Sequence, residues 1–388
     1  MTGTAGAGSV PAFRGSRREM RGDEAGTGQR ARRPASTKIK AMHSTQKPRA
    51  TAPTRRRVTA AMVAERAGVS TATVSLVANG KASGRVSPGN EAKVREAIRE
   101  LGYVVDSIGS SLARGVSNTV IMVAPDISNP FFATVIAGVR AALGSHYQLL
   151  LSVTDAGQLP SADDTRRLLG LRPAGLLVDA PDPSFLEELS APGPLVLLDA
   201  PGFGPEVPAV NLDVAQGGRL LAEHLAAAGH KKVAYIDGTT GTTTFEVRRA
   251  AFLEAAGTLG MEVPEGARIA ATINVGLAAN AFAGAWPQWK KLGVSAVVCA
   301  TDTHAYGVLQ EARAAGISIP GELAVTGFDD LPYSTTSSPG LTSVNLPGEL
   351  LGRRAAEQLL RLIGGEELEA RQVTLESSLM VRGSTVEA

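Results

Sequence analysis

The ten residues from Ser70 to Asn79, S-T-A-T-V-S-L-V-A-N, offer short hydroxyls, methyls and one amide, and no charge. Such a set makes or breaks no covalent bond. Carried on a helix, it suits close contact with base edges in a DNA major groove. A second group stands after apolar runs later in the chain. Asp126, Asn129, Phe131 and Phe132 follow the run Val120–Ala124, and Asp199 closes the run Leu195–Asp199. Carboxylates there can accept hydrogen bonds from vicinal hydroxyls, and aromatic faces can stack on a sugar ring or a base. Core packing is the alternative for at least one of the two phenylalanines. The catalytic inventory is thin. His43, His146, His224, His230 and His304 are scattered without metal-ligand spacing, and there is neither a Gly-x-Ser-x-Gly elbow nor a Walker-type phosphate loop. Asp163 and Asp164 precede a helix and suit its amino-terminal dipole. No enzyme, no cofactor and no metal site is expected.

The elements that position these residues can be read from periodicity. In residues 58–104, Thr59 caps a helix that turns Val63, Ala64 and Ala67 to one face, and Gly68 supplies a left-handed turn. Ser70 caps a second helix, Thr71 to Ala78. Its Val74 and Val77 point inward, leaving Thr71, Ala72, Ser75 and Leu76 outward. A third helix, Pro88 to Leu101, adds Val94, Ala97, Ile98 and Leu101 to a small core. A generic three-helix bundle has the same pattern as a helix-turn-helix DNA reader. From Asn118 onward, continuous apolar runs such as Gly175–Val178, Lys232–Ile236, Ala296–Ala300 and Leu323–Phe328 alternate with helical stretches. That alternation indicates doubly wound parallel sheets buried on both faces. About 270 residues exceed one such sheet, so two lobes with a cleft are expected.

Four stretches, taken together, carry a family resemblance. A-G-V-S-T-A-T-V-S-L-V-A-N-G (67–80), E-L-G-Y-V-V-D-S-I-G-S-S-L-A-R-G (100–115), P-D-I-S-N-P-F-F (125–132) and V-T-G-F-D-D (325–330) occur in that order. They resemble the DNA-binding head, hinge and effector-binding core of the LacI/GalR (lactose-repressor) regulators. The resemblance covers roughly Val58 to Arg382. It implies a three-helix head at 58–104, a hinge helix at 105–117 and a two-lobed periplasmic-binding-protein-like core at 118–388. The chain would cross between lobes near Asn211, Thr342 and residue 371.

Under that resemblance the candidate DNA contacts are Thr59, Ser70, Thr71, Ala72, Thr73, Ser75, Leu76 and Asn79, with Leu112 and Ala113 in the hinge. Thr71 and Ala72 hold the family's main specificity positions. Leu76 stands where many members carry a guanine-binding arginine, which leaves an apolar contact there. Leu112 matches the hinge leucine that wedges into the central base step; packing of the linker is its alternative role. Lys81 and Arg85 suit phosphate contacts or a solvated loop equally. Candidate effector contacts are Asp126, Phe131, Phe132, Asp199, Glu246, Arg248, Thr301 and Asp329. Of these, Asp199 and Asp329 match carboxylates that hold effector hydroxyls. Glu246 stands at the position of a binding arginine, Thr301 replaces an asparagine and Leu346 a glutamine. An acidic cleft containing Asp199, Glu246 and Asp329, eased by Arg248, implies a neutral polyol or cationic ligand. The alternative is a core that no longer senses a small molecule. Operator DNA, a carbohydrate-like effector and a homodimer are the implied partners. The C-terminal R-G-S-T-V-E-A has no leucine heptads, against a tetramer-forming coiled coil.

Charge is unevenly spread. Residues 1–57 hold fourteen Lys or Arg against three acids, a net of +11; the whole chain is +2, which leaves −9 elsewhere. The arm is rich in small residues and Pro, has no periodic apolar face and is expected to be disordered. Either it adds non-specific phosphate contacts or translation starts at Met20 or Met42. It lacks the apolar core of a signal peptide and no later run is long enough for a membrane span, so a cytoplasmic, nucleoid-associated protein is expected. The single cysteine, Cys299, lies in an apolar run and reads as a buried small hydrophobe. Two other classes remain: a solute-binding sensor of the same core fold, and a non-specific DNA binder.

Overall fold

The computed structural model describes residues 58–104, 117–125, 127, 129–155, 158–189, 193–239 and 241–386. The basic arm, Leu112, Ala113 and Asp126 lie outside them. Two compact units divide between Tyr103 and Val104.

The first unit is α1 (Ala60–Ala67), α2 (Thr71–Ala78) and α3 (Pro88–Leu101). Each starts on a hydroxyl cap. Thr59 accepts the Met62 N–H at 3.4 Å, Ser70 that of Thr73 at 3.2 Å and Ser87 that of Asn90 at 3.4 Å. These satisfy donors that a helix start leaves unpaired. Gly68 ends α1 at φ 67°, a left-handed conformation that suits a residue without Cβ. Val63, Val74, Val77, Val94 and Ala97 close a core in which Ile98 and Leu101 are half-buried.

The second unit has two six-stranded sheets. One uses β1 (Thr119–Ala124), β2 (Gln148–Val153), β3 (Gly175–Asp179), β4 (Leu195–Leu198) and β5 (Ala209–Leu212), with β11 (Gln372–Leu375); its order is β11-β5-β4-β3-β1-β2 and every pair is parallel. The other uses β6 (Val233–Gly238), β7 (Arg268–Ala271), β8 (Ala296–Cys299), β9 (Ala324–Asp329), β10 (Thr342–Asn345) and β12 (Ser378–Met380), ordered β12-β10-β9-β8-β6-β7, with only β12 antiparallel. Inner strands such as β3 and β4 are buried along their whole length, because helices cover both faces. Cys299 is fully buried in β8.

The helices are α4 (Phe131–Leu143), α5 (Ala162–Leu169), α6 (Phe185–Leu189), α7 (Val214–Ala227), α8 (Thr243–Thr258), α9 (Val275–Leu292), α10 (Asp302–Ala314) and α11 (Gly348–Ile363). Two glycines bring α4 and α11 together: a Cβ on Gly138 would lie 2.0 Å from the Glu349 carbonyl oxygen, and one on Gly352 2.0 Å from that of Val135. Only hydrogen fits at either position.

The chain crosses between the sheets three times, slightly later than the sequence suggests. It leaves the first sheet after Leu212, returns after Asn345 and leaves again after Leu375. Each strand is paired to its end before the chain departs, so Asn211 and Thr342 lie inside strands. What reads as one strand-like segment from Gln372 to Val381 is β11 and β12, in different sheets. Ser377, between them, ties the crossing to its neighbour: its N–H donates to Gln216 Oε1 and its hydroxyl to the Asp213 carbonyl.

Candidate functional site

In the first unit, α2 buries Val74 and Val77, leaving Thr71, Ala72 and Ser75 exposed and Thr73 and Leu76 half-exposed. Most of its polar groups are already engaged locally. The Ser70 and Thr73 hydroxyls lie 2.9 Å apart. Asn79, just past the helix, donates from Nδ2 to the Ser75 carbonyl at 2.7 Å and to Ser75 Oγ at 3.3 Å. Thr59 is occupied as the cap of α1. Arg66 pairs with Glu100 at 2.6 Å, whereas Lys81 and Arg85 have no acidic partner among the described residues. The outward face therefore presents methyls and a few hydroxyls, with cations beyond its end. A helix face of this kind can enter a groove without desolvating charge, while the cations meet phosphates.

The second unit contains a cavity of about 180 Å³, roughly ten times the space that one buried water needs. Nine strands deliver its walls, every one from its carboxyl end. From the first sheet come Asn129, Phe131 and Phe132 after β1, Gln158 after β2, Asp179 and Ala180 at the end of β3, and Asp199 after β4. From the second come Thr239, Thr242, Thr244, Phe245 and Arg248 after β6, Thr272 and Ile273 after β7, Thr301 after β8, Asp329 ending β9 and Leu346 after β10. Ligands of open α/β sheets sit at such strand ends. Ala180, Asp199 and Asp329 hold φ of 39°, 45° and 108°, a region that side chains with a Cβ rarely adopt. The strained residues turn the chain at the cavity wall.

Among the described residues two hydrogen bonds join the walls across the cleft. Asn129 Nδ2 donates to Asp329 Oδ2 at 3.0 Å, and the Thr244 hydroxyl to the Asp199 carbonyl at 3.4 Å. Asn129 Oδ1 also accepts the Phe131 N–H at 3.1 Å, which fixes the start of α4. The Phe131 and Phe132 rings meet edge to face, centroids 5.7 Å apart.

Arg248 is the buried cation of the site. Its guanidinium carbon lies 4.9 Å from the Phe245 ring centroid and 4.2 Å from that of Phe328, and Nη1 donates to the Ala300 carbonyl. Its Nε has no partner among the described residues. Burial pushes the Asp199 carboxyl up to about 6, opposed by Arg248. Burial likewise lifts Asp329 to about 8, again opposed by Arg248. Asp179, 2 % exposed, is raised well above the usual carboxylate range by burial and by the neighbouring Asp199 charge. Among the described residues, Asp179 and Asp199 each keep an Oδ1 without a partner. Buried acceptors in that state favour a ligand that donates hydrogen bonds. Beneath them Asp302 accepts from the Leu331 N–H and the Ser334 and Ser343 hydroxyls, anchoring the loop after β9.

Comparison with known proteins agrees with both halves of this geometry. The family model described as bacterial regulatory proteins, lacI family, matches residues 63–106, and that described as periplasmic binding protein-like domain matches residues 222–385. The HTH-type transcriptional regulator GntR of Pseudomonas aeruginosa is 34% identical over 337 residues, covering 83% of this chain and 94% of its own length. CelR of Thermobifida fusca, also an HTH-type transcriptional regulator, is 34% identical over 345 residues, covering 85% and 99%. This chain belongs to the LacI family. Among solved structures of LacI-family regulators, the transcriptional regulator CelR–cellobiose complex superposes with a TM-score of 0.62 at 31% identity, over 84% of this chain and 100% of that one. The lac repressor dimer bound to operator and the anti-inducer ONPF shares the fold, with a TM-score of 0.69 at 23% identity over 85% and 100%.

Of the residues that the sequence nominates in this LacI-family core, Phe131, Phe132, Asp199, Arg248, Thr301 and Asp329 line the cavity. Glu246 does not: it is exposed on α8. Positions two apart on a helix point to opposite sides, so the phase that buries Arg248 turns Glu246 to water. The acidic cleft is thus formed by Asp179, Asp199 and Asp329, without Glu246. Thr301 reaches the wall with its hydroxyl engaged by the His304 N–H and Nδ1. Asp179, Gln158 and the threonines around β6 and β7 were not nominated. The strand-end rule, applied one residue past Val178, reaches Asp179. Three of the five histidines serve structure: His224 bonds Thr385, His230 bonds Ser295, and His304 bonds the Ala271 carbonyl. Among the described residues no group of three His, Cys, Asp or Glu could hold a metal, and no helix is long and apolar enough to cross a membrane.

Proposed function

We propose that this LacI-family chain is a dimeric repressor acting in the cytoplasm. It binds a near-palindromic operator through residues 58–104 and a hinge at 105–117. Residues 118–388 sense a sugar or related polyol and hold the dimer together. The observation that carries this reading is the cavity, which takes its walls from the strand ends of both sheets. A ligand there touches both lobes at once and so can bias their relative arrangement. Paired buried acceptors beside aromatic and aliphatic walls fit a neutral polyhydroxylated molecule. That the CelR structure is a cellobiose complex points to the same class.

A dimer is supported by β2, the edge of the first sheet. Leu150, Leu151 and Val153 on it are each more than two-fifths exposed, an apolar surface that a second copy would cover. Two heads on a palindrome gain avidity that one head lacks. Binding alone accounts for the described residues of the cavity.

The test is selection of genomic fragments on the purified protein, footprinting across a salt series, and titration with cellobiose and ribose. The expected result is a protected near-palindrome whose midpoint moves at least fivefold with one of the sugars. Uniform, steeply salt-dependent binding without a footprint would overturn the operator reading. A footprint that neither sugar moves, with no shift in core melting, would count against these sugars as effectors.

A further inference from the structure

We infer that the head reads its operator half-sites through thymine methyl groups, using Leu76 and Ala72 with the Thr71 methyl. The inference rests on the operator reading above and specifies its chemistry.

Base pairs are told apart in the major groove by bidentate Arg or Lys on guanine, Asn or Gln on adenine, acids on cytosine, or apolar contact with the thymine C5 methyl. On α2 the first three are missing. The helix Thr71–Ala78 has no charged residue and no amide. The amide nearest to it, Asn79, spends its Nδ2 on the Ser75 carbonyl and hydroxyl. The Ser70 and Thr73 hydroxyls are bonded to each other, and Ser70 also caps the helix. What remains outward is Thr71, Ala72 and Leu76, beside Ser75, whose Oγ already accepts from Asn79 and keeps only its O–H to donate.

Leu76 is the informative residue. It is half-exposed and does not pack with the apolar core of the head, which draws on Val63, Val74, Val77 and Val94 instead. A leucine left out of its own core, one turn along from Ala72 on the same face, is poorly solvated until something apolar covers it. In the major groove that something is a methyl. Lys81 and Arg85, without acidic partners among the described residues, suit phosphates and add position rather than sequence.

Uracil tests this directly, because it pairs like thymine and lacks only the methyl. The full-length protein is footprinted on its best selected genomic fragment. The same fragment is then resynthesised with deoxyuridine for thymidine, one half-site position at a time on each strand. Each contacted methyl is expected to be worth about fourfold in affinity, so a half-site losing two should bind more than tenfold more weakly. Restoring a C5 methyl by 5-methylcytosine at a substituted C·G pair should recover part of the loss. Leu76→Ala should weaken binding to the thymine operator and abolish the penalty of uracil at one position, a non-additive pair. Contacts in the minor groove are unaffected, since the methyl lies in the major groove. A footprint whose affinity stays within twofold under every uracil substitution overturns the methyl reading and leaves the operator intact. Failure to protect any fragment removes the operator reading, and this inference falls with it.

Discussion

The two working surfaces of the molecule are built on opposite plans. The outward face of α2 is contiguous in sequence, its hydrogen bonds span no more than four residues, and it buries no charge. The cavity of the core gathers residues from nine strand ends, joins Asn129 to Asp329 across 200 positions, and buries a guanidinium among three carboxyls. A surface that meets its partner in water can rely on shape and local caps. A surface that must enclose its ligand needs buried polar groups, and these hold their place only if the whole fold holds them. The reader is therefore tolerant of change, and the sensor is brittle.

Substitutions ranked by their expected effect can break this contrast. Arg248→Met should have the largest, because it strips the buried cation from beside Asp199 and Asp329; core stability should fall by about 3 kcal/mol in urea unfolding. Sugar-dependent change in the footprint should disappear with it, while the head still binds DNA. A loss below about 1 kcal/mol would mean that the carboxyls do not depend on that cation. A pH series comes next. The folded core retains protons on Asp199 up to about pH 6 and on Asp329 up to about pH 8, whereas unfolded carboxyls release theirs near 4. The native state binds more protons across that window, so the melting temperature should fall as pH rises from 5 to 8.5. Asp329→Asn should flatten the upper part of that slope; an unchanged slope would assign it to other groups.

Smaller effects belong to the exposed sites. Ser70→Ala removes the cap of α2 and should cost about 1 kcal/mol, seen as faster amide exchange in the head and weaker operator binding at unchanged core stability. Glu246→Gln should alter neither stability, within about 0.5 kcal/mol, nor the sugar response. A changed ligand profile in that variant would place residue 246 at the ligand after all.

The same contrast explains what could be read from sequence. The three helices of the head are legible almost to the residue because caps and the Gly68 turn are local signals. The alternation of strands and helices in the core is legible because parallel strands buried on both faces are continuously apolar. The composition of the cavity is less so, since it depends on where distant strand ends converge. Asp179 lies one residue beyond a run that otherwise reads as plain strand. Glu246 is misassigned when a motif position outweighs helical phase. The helix α9 leaves a weak signal in the sequence because it is rich in Ala and Gly and carries Pro287 inside. It survives the lost N–H because Phe282 and Trp289 are fully buried and the Trp289 Nε1 donates to the Gly266 carbonyl at 3.1 Å. The short strands β5, β7 and β10, of four residues each, are set by their neighbours in the sheet more than by their own pattern.

The three crossings bear on how such a gene can change. One lobe is assembled from residues 117–212 and 348–375, the other from 213–345 and 378–386, so neither is written in a single uninterrupted stretch. Recombination with a relative cannot transplant half a sensor without cutting both. A break after the codon for Tyr103, by contrast, exchanges the whole three-helix head in one event. New pairings of operator and effector can thus arrive by shuffling at that break, whereas a change confined to one lobe has to accumulate codon by codon within an undivided core.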